Sequence, residues 1–144
     1  DPSYAPAGNG LLAVVDTGSD ELVPGVNPVD LGGSCLDPGG LALHAARLYV
    51  TCGFFPYNST SVAGAAIVPV DVSTGTPAVL PPIAVGGTAP GAIAFCGDIG
   101  YAADRASGKV MSLDPSLGAI TGLAEICVPR PGGPAYVADV ACGR

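Results

Sequence analysis

The chain has 144 residues, 49% hydrophobic and only 12% charged, with 22 glycines, 15 prolines and a formal net charge of −7. No apolar run approaches the roughly 18–20 residues of a membrane-spanning helix, and five basic residues leave no patch to neutralise a phosphate backbone, which argues against nucleic acid as a partner. Glycine or proline cuts the apolar sequence roughly every five to eight residues, which excludes long helices and predicts an all-β domain.

The opening residues, Asp1-Pro2-Ser3-Tyr4, lack the charged and apolar regions of a signal peptide, so any such peptide is expected to have been removed or never included. Residues 3–7 and 11–16 are short apolar runs around Gly8-Asn9-Gly10, where Asn-Gly predicts a hairpin turn because both residues tolerate positive φ. Thr17-Gly18-Ser19-Asp20 reads as the next turn and Glu21 to Leu31 as an outer strand. Pro24 and Pro28 remove ladder donors there, which suits an edge. Gly32-Gly33 leads to a strand over Gly40–His44, a turn at Ala45-Ala46 and a strand over Arg47–Cys52. After Gly53–Gly64 come a strand over Ala65–Asp71, a turn at Val72–Gly75 and an outer strand from Ala78 to Val85.

Gly86-Gly87 opens the clearest stretch, residues 91–120, in which three apolar runs and the start of a fourth are separated by Cys-Gly-Asp, Asp-Arg-Ala-Ser-Gly and Asp-Pro-Ser-Leu-Gly. Such runs between Gly, Pro, Asp and Ser read as strands joined by tight turns. The outer strand of this unit runs from about Ala119 to Val128. Gly132-Gly133 then opens one more first strand, Pro134–Ala141, before Cys142-Gly143-Arg144.

Landmarks recur along the chain. Tyr4, Tyr49 and Tyr101 fall in second strands, Asp16, Asp71 and Asp114 end third strands, and Gly33, Gly87 and Gly133 precede first strands. The aspartates lie 55 and 43 residues apart; the second spacing matches the roughly 40–45 residues of a four-stranded propeller blade. The first is longer because 22 residues separate Tyr49 from Asp71, against 13 from Tyr101 to Asp114. The middle unit therefore carries an insertion of about nine residues around Gly53–Ser61. The units are about 1–31, 32–85 and 86–128, with 129–144 supplying the first strand of a split blade.

Leu48-Tyr-Val-Thr-Cys52, the Val-Asp-x-x-x-Gly turn at Val70–Gly75 and Gly86-Gly-Thr-Ala-Pro90 followed by an apolar strand resemble the YVTN-type β-propeller repeat. The likeness spans the chain but is degenerate: the signature reads Tyr-Val-Thr-Cys, Tyr-Ala-Ala-Asp and Tyr-Ala-Pro-Ala. It implies all-β blades of four antiparallel strands; a β-sandwich with fortuitous spacing is the competing fold.

The ends read as two halves of one hairpin, since Ala141-Cys-Gly-Arg joined to Asp1-Pro-Ser-Tyr4 resembles Phe95-Cys-Gly-Asp-Ile-Gly-Tyr101. Three blades do not make an ordinary ring, and open terminal strands are an aggregation liability. Two copies exchanging terminal strands would close a six-bladed ring by homodimerisation. The alternatives are an excised piece of a longer propeller and a head-to-tail filament.

Five cysteines in a small β-rich chain point to disulfides and an oxidising setting, so to a secreted, cell-surface or periplasmic protein. No CxxC or Cys/His cluster supports a metal site, and no cofactor is implied. In a propeller, the approach to a first strand and the end of a second share one face, which favours Cys35–Cys52; the resulting 17-residue loop is worth on the order of 3 kcal/mol. Cys96–Cys142 is possible on the opposite face, leaving Cys127 odd.

Asp16, Asp71 and Asp114 read as turn caps, and the paired glycines as close-packing positions near the axis. The best binding candidate is the insertion, with Phe54, Phe55 and Tyr57 as aromatic contact area and Asn58-Ser59-Thr60 as a glycosylation sequon. Asp37, Asp104, Arg105 and Arg130 would rim the same face of a propeller. His44 reads as a turn or surface residue. The expected function is a non-catalytic module that assembles through its open blade edges and binds a protein or glycan. The competing reading is an enzyme whose channel, formed on ring closure, uses Asp37, His44 and Asp104.

Overall fold

The computed structural model describes residues 8–54, 63–86, 89–105, 107–125 and 139–142. These residues form an all-β structure of four antiparallel sheets. Among them there is no helix long and apolar enough to cross a membrane.

The first two sheets are nested parts of one bulged hairpin. Strand β1 (Leu11–Leu12) pairs with β4 (Val29–Asp30), and β2 (Val15–Asp16) with β3 (Glu21–Leu22). Between the two pairings the Val14 carbonyl still accepts from the Val23 N–H at 2.9 Å, but the Val14 N–H would face a gap, since the returning chain bulges at Pro24 to Pro28. Asn27 fills it. Its Oδ1 accepts from the Val14 N–H at 2.6 Å, and its amide donates to the Val14 and Val23 carbonyls at 2.8 Å. A primary amide has the donor–acceptor pair of a peptide group, so it substitutes for the missing ladder residue.

The central sheet joins β5 (Pro38–His44), β6 (Arg47–Phe54) and β7 (Ala63–Asp71), and β7 carries on its far edge both β8 (Ala78–Val79) and β9 (Ile83–Ala84). These last two are the expected outer strand, interrupted where Pro81 and Pro82 have no N–H to give. The third sheet runs in order β10 (Pro90–Cys96), β11 (Ile99–Asp104), β12 (Lys109–Asp114) and β13 (Ala119–Glu125). Part of the insertion expected as a loop is ladder instead, because Cys52 pairs with Ala66 and the strands continue to Phe54 opposite Ala63.

Strand alternation sends neighbouring residues to opposite faces, and β6 and β7 are buried on both, while Leu41 and Leu43 of β5 stay exposed. One face packs Val50, Cys52, Ala66, Val68 and Val70 against Leu12, Leu31 and Cys35 of the hairpin segment. The other packs Tyr49, Ile67 and Ile83 against Ile93, Ala102, Met111 and Leu113 of the third sheet. Two disulfides are present, Cys35–Cys52, the pair favoured above, and Cys96–Cys142, the pair named as possible; they fit an oxidising compartment. Cys127 lies outside the described residues.

The aspartates that end third strands cap the turns that follow. Asp16 accepts from Gly18 N–H at 2.7 Å, Asp71 from Ser73 N–H at 2.8 Å and Asp114 from Ser116 N–H at 2.8 Å. The glycine pairs do something other than close packing. Gly32 and Gly86 take positive φ (79° and 68°) with open space around them, so they are turn residues; Gly87 and Gly133 lie outside the described residues. The close approach occurs one strand later, where a Cβ on Gly40 would stand 2.6 Å from the Gly91 carbonyl oxygen.

Candidate functional site

The contact between central and third sheets defines what a complete inter-sheet surface looks like here. Tyr49, fully buried, tilts against Phe95 with ring centroids 5.0 Å apart. Beside it the Thr51 hydroxyl donates to the Gly91 carbonyl, tying β6 to β10. Tyr101 occupies the place of Tyr49 one sheet on: Tyr49 pairs with Ala42 and Pro69, Tyr101 with Ala94 and Ser112. Yet Tyr101 is half-buried, beside an apolar cleft of about 430 Å³ lined by Ala94, Tyr101, Val110 and residues 139–141. The short 139–142 segment is fastened to the β10–β11 turn by Cys96–Cys142.

At one end of the sheets, Arg105 follows β11 and reaches across to the central sheet. Its guanidinium donates to the Gly53 carbonyl at 3.2 Å and lies 3.7 Å from Asp37. Gly91 leaves room for its stem, since a Cβ there would stand 2.9 Å from the Arg105 Cγ. Asp37 and Arg105 therefore meet beside Gly53, where the expected insertion begins, and both are half-exposed. Asp104 does not join that rim. It is fully buried, accepting the Ala89 N–H at 3.0 Å and the Ser107 hydroxyl, and so braces the turn into β12. Phe54 ends β6, while Phe55, Tyr57, Asn58 and Arg130 lie outside the described residues.

The opposite end holds a polar cleft of about 620 Å³ lined by His44, Arg47, Asp71, Asp98, Asp114 and Ser116, with Tyr49 among its walls. His44 stacks on Phe95 at 4.5 Å and lies 3.7 Å from Asp98. Hydrogen bonds from Ser73 hold the Asp71 carboxyl below its ordinary pKa, and those from Ser116 do the same for Asp114. Donation to a carboxylate stabilises its charged form. These groups cap turns, and among the described residues no set of three or more His, Cys, Asp or Glu is placed to hold a metal.

Asp37, His44 and Asp104, the groups a channel enzyme would draw on, do not converge. Asp37 immediately precedes β5 and His44 ends it, so its seven residues separate them by about 20 Å. Asp104 is engaged in its own turn. The Arg105–Gly53 bond was not foreseeable from sequence, because it depends on which sheets adjoin. The burial of Asp104 had a signal in Ser107, three residues on, which marks a side-chain-capped turn. No protein-family model matches the chain, and no curated protein matches it.

Proposed function

We propose that the protein is a non-catalytic assembly and binding module of the β-propeller type, secreted or exposed at a cell surface or periplasm, that completes its ring by associating with itself. One observation carries the reading. Leu41 and Leu43 on β5 are 56% and 64% exposed, whereas Ile93, at the position of Leu41 on the next sheet, is 7% exposed, and Phe95, at the position of Leu43, packs into the core. Leu41 lies opposite Val50 and shares its face, which among the described residues the hairpin segment covers only in part, through Leu12, Leu31 and Cys35. The inner part of that face has the composition of an interface, and among the described residues no strand covers it as its counterpart is covered.

Exposed apolar surface adjoining an incomplete sheet favours association with further strands. The repeated Tyr and Asp positions support a repeat in which every sheet packs on its neighbours. The YVTN-like residues Leu48–Cys52 and Val70–Gly75 agree with a propeller; the fold by itself names no activity.

Light scattering on eluting protein tests the proposal. The expected result is a mass of twice the single chain at micromolar concentration, reverting to one chain in Leu43→Asp with the circular dichroism spectrum retained. A wild-type protein that stays a single chain across the accessible concentration range overturns it.

A further inference from the structure

We infer that residues 139–142 are the strand one copy places on the exposed Leu41/Leu43 surface of another, and that the Cys96–Cys142 disulfide is the latch holding that strand in position. The inference rests on the self-associating reading above and adds to it the contributing element and its control.

The position of the strand follows from repeated contacts. Phe95-Cys96-Gly97 ends the first strand of the third sheet, and Ala141-Cys142-Gly143 repeats it with Ala in place of Phe. Residues 139–141 lie beside Ala94, Tyr101 and Val110, as β10 lies against Tyr49 and Ile67. They therefore sit where the first strand of a further sheet belongs. Phe95 fills its interface with a ring on Tyr49; Ala141 offers a methyl, and the cleft at Tyr101 is the space left over. Among the described residues this segment has one side on its own chain and no sheet on the other. The Leu41/Leu43 surface has the reverse deficit. A second copy supplies each with what it lacks.

The two disulfides differ in access. Cys35 and Cys52 are fully buried, whereas Cys96 and Cys142 are both exposed. A small dithiol in solution reaches the second bond and not the first. Reduction breaks the Cys96–Cys142 bond, each sulfur taking one electron and one proton, while the dithiol is oxidised to its cyclic disulfide. The freed strand, with Asp139 and Ala141 exposed and Val140 half-exposed, has little burial to hold it on the Tyr101 face. Its ordering cost then falls on association, which weakens.

The experiment uses the full chain carrying Cys127→Ser, so that no third thiol exchanges. Sedimentation equilibrium compares the oxidised protein with protein in which dithiothreitol has opened Cys96–Cys142, verified by peptide mass, and with the Cys96→Ser/Cys142→Ser variant. Association about tenfold weaker or more in both, with an unchanged circular dichroism spectrum, is the expected result. Equal association overturns the latch. A benzophenone side chain at position 41, in a mixture of isotopically heavy and light copies, locates the strand: the expected adduct joins position 41 of one copy to the 139–142 peptide of the other. An adduct elsewhere overturns the strand assignment and leaves self-association standing, whereas oxidised protein that never associates overturns the proposed function as well.

Discussion

Tyr49 and Tyr101 stand at corresponding places on adjacent sheets, and one is buried while the other is not. Around Tyr49 the next sheet brings Phe95, Ile93 and Met111 into contact. Around Tyr101, among the described residues, there is the short 139–142 segment and a cleft. Glycine usage follows the same division. Gly40 faces the Gly91 carbonyl so closely that a methyl would meet backbone, yet its counterpart beside the open surface is Ala92. The burial of a repeat position is thus set by the neighbouring sheet, and the sequence of one sheet records whether that neighbour is pressed against it.

Truncating the two tyrosines is the strongest way to break this comparison. Tyr49→Ala removes a fully buried ring from a packed contact and is expected to cost about 3–4 kcal/mol in chemical denaturation. Tyr101→Ala, measured where the protein is a single chain, is expected to cost about 1 kcal/mol, because its ring already borders open space. Equal losses would mean that the two surfaces are equally closed. Gly40→Ala sharpens the same point with a single methyl. The atom it meets belongs to the backbone of β10 and cannot rotate away, so about 2 kcal/mol is expected from overpacking. An Ala substitution at Gly91 meets the flexible stem of Arg105 instead and should cost less in the same assay.

Much of this fold was legible in the sequence, because turns and strands are local. The aspartates at 16, 71 and 114 announced their turns through the spacing to the residues whose N–H groups they accept, and the tyrosines announced the registers that pairing then displays. What was not legible depends on which surfaces meet. Gly32 and Gly86 were read as packing residues, whereas the tight approach belongs to Gly40 and Gly91, one strand further on. Asp104 looked like a rim carboxylate because sequence shows its charge and not its burial. Asn27 gave no sign that its amide would complete a broken ladder, since the gap it fills arises only when the hairpin folds around Pro24 and Pro28. The candidate site was least legible, because its features are exposed leucines and a cleft, each defined by how little of the described chain packs on it.

The smallest expected effect concerns features common to both surfaces, the turn-capping carboxylates, and so supplies the control for the comparison. Asp30, Asp71 and Asp114 have folded-state pKa values below the ordinary value of 3.8: the Gly32 N–H acts chiefly on Asp30, the Ser73 side chain on Asp71 and the Ser116 side chain on Asp114. A carboxyl whose pKa is depressed on folding binds its proton more readily when unfolded. Its contribution is therefore complete above the unfolded pKa and is lost as pH falls through the folded one. The melting temperature should be insensitive to these groups from neutral pH down to about 5 and should fall below about 4. Ser116→Ala removes the 2.7 Å hydroxyl bond to Asp114 while leaving the backbone N–H in place, so the acid-side decline should become shallower without disappearing. The same variant should leave self-association at neutral pH unchanged, because Ser116 lies at the turn end of the sheets and not on the Leu41/Leu43 or Tyr101 faces. A Ser116→Ala protein that dissociates at neutral pH would place part of the assembly surface at the turn end, and the division between closed and open faces would have to be redrawn.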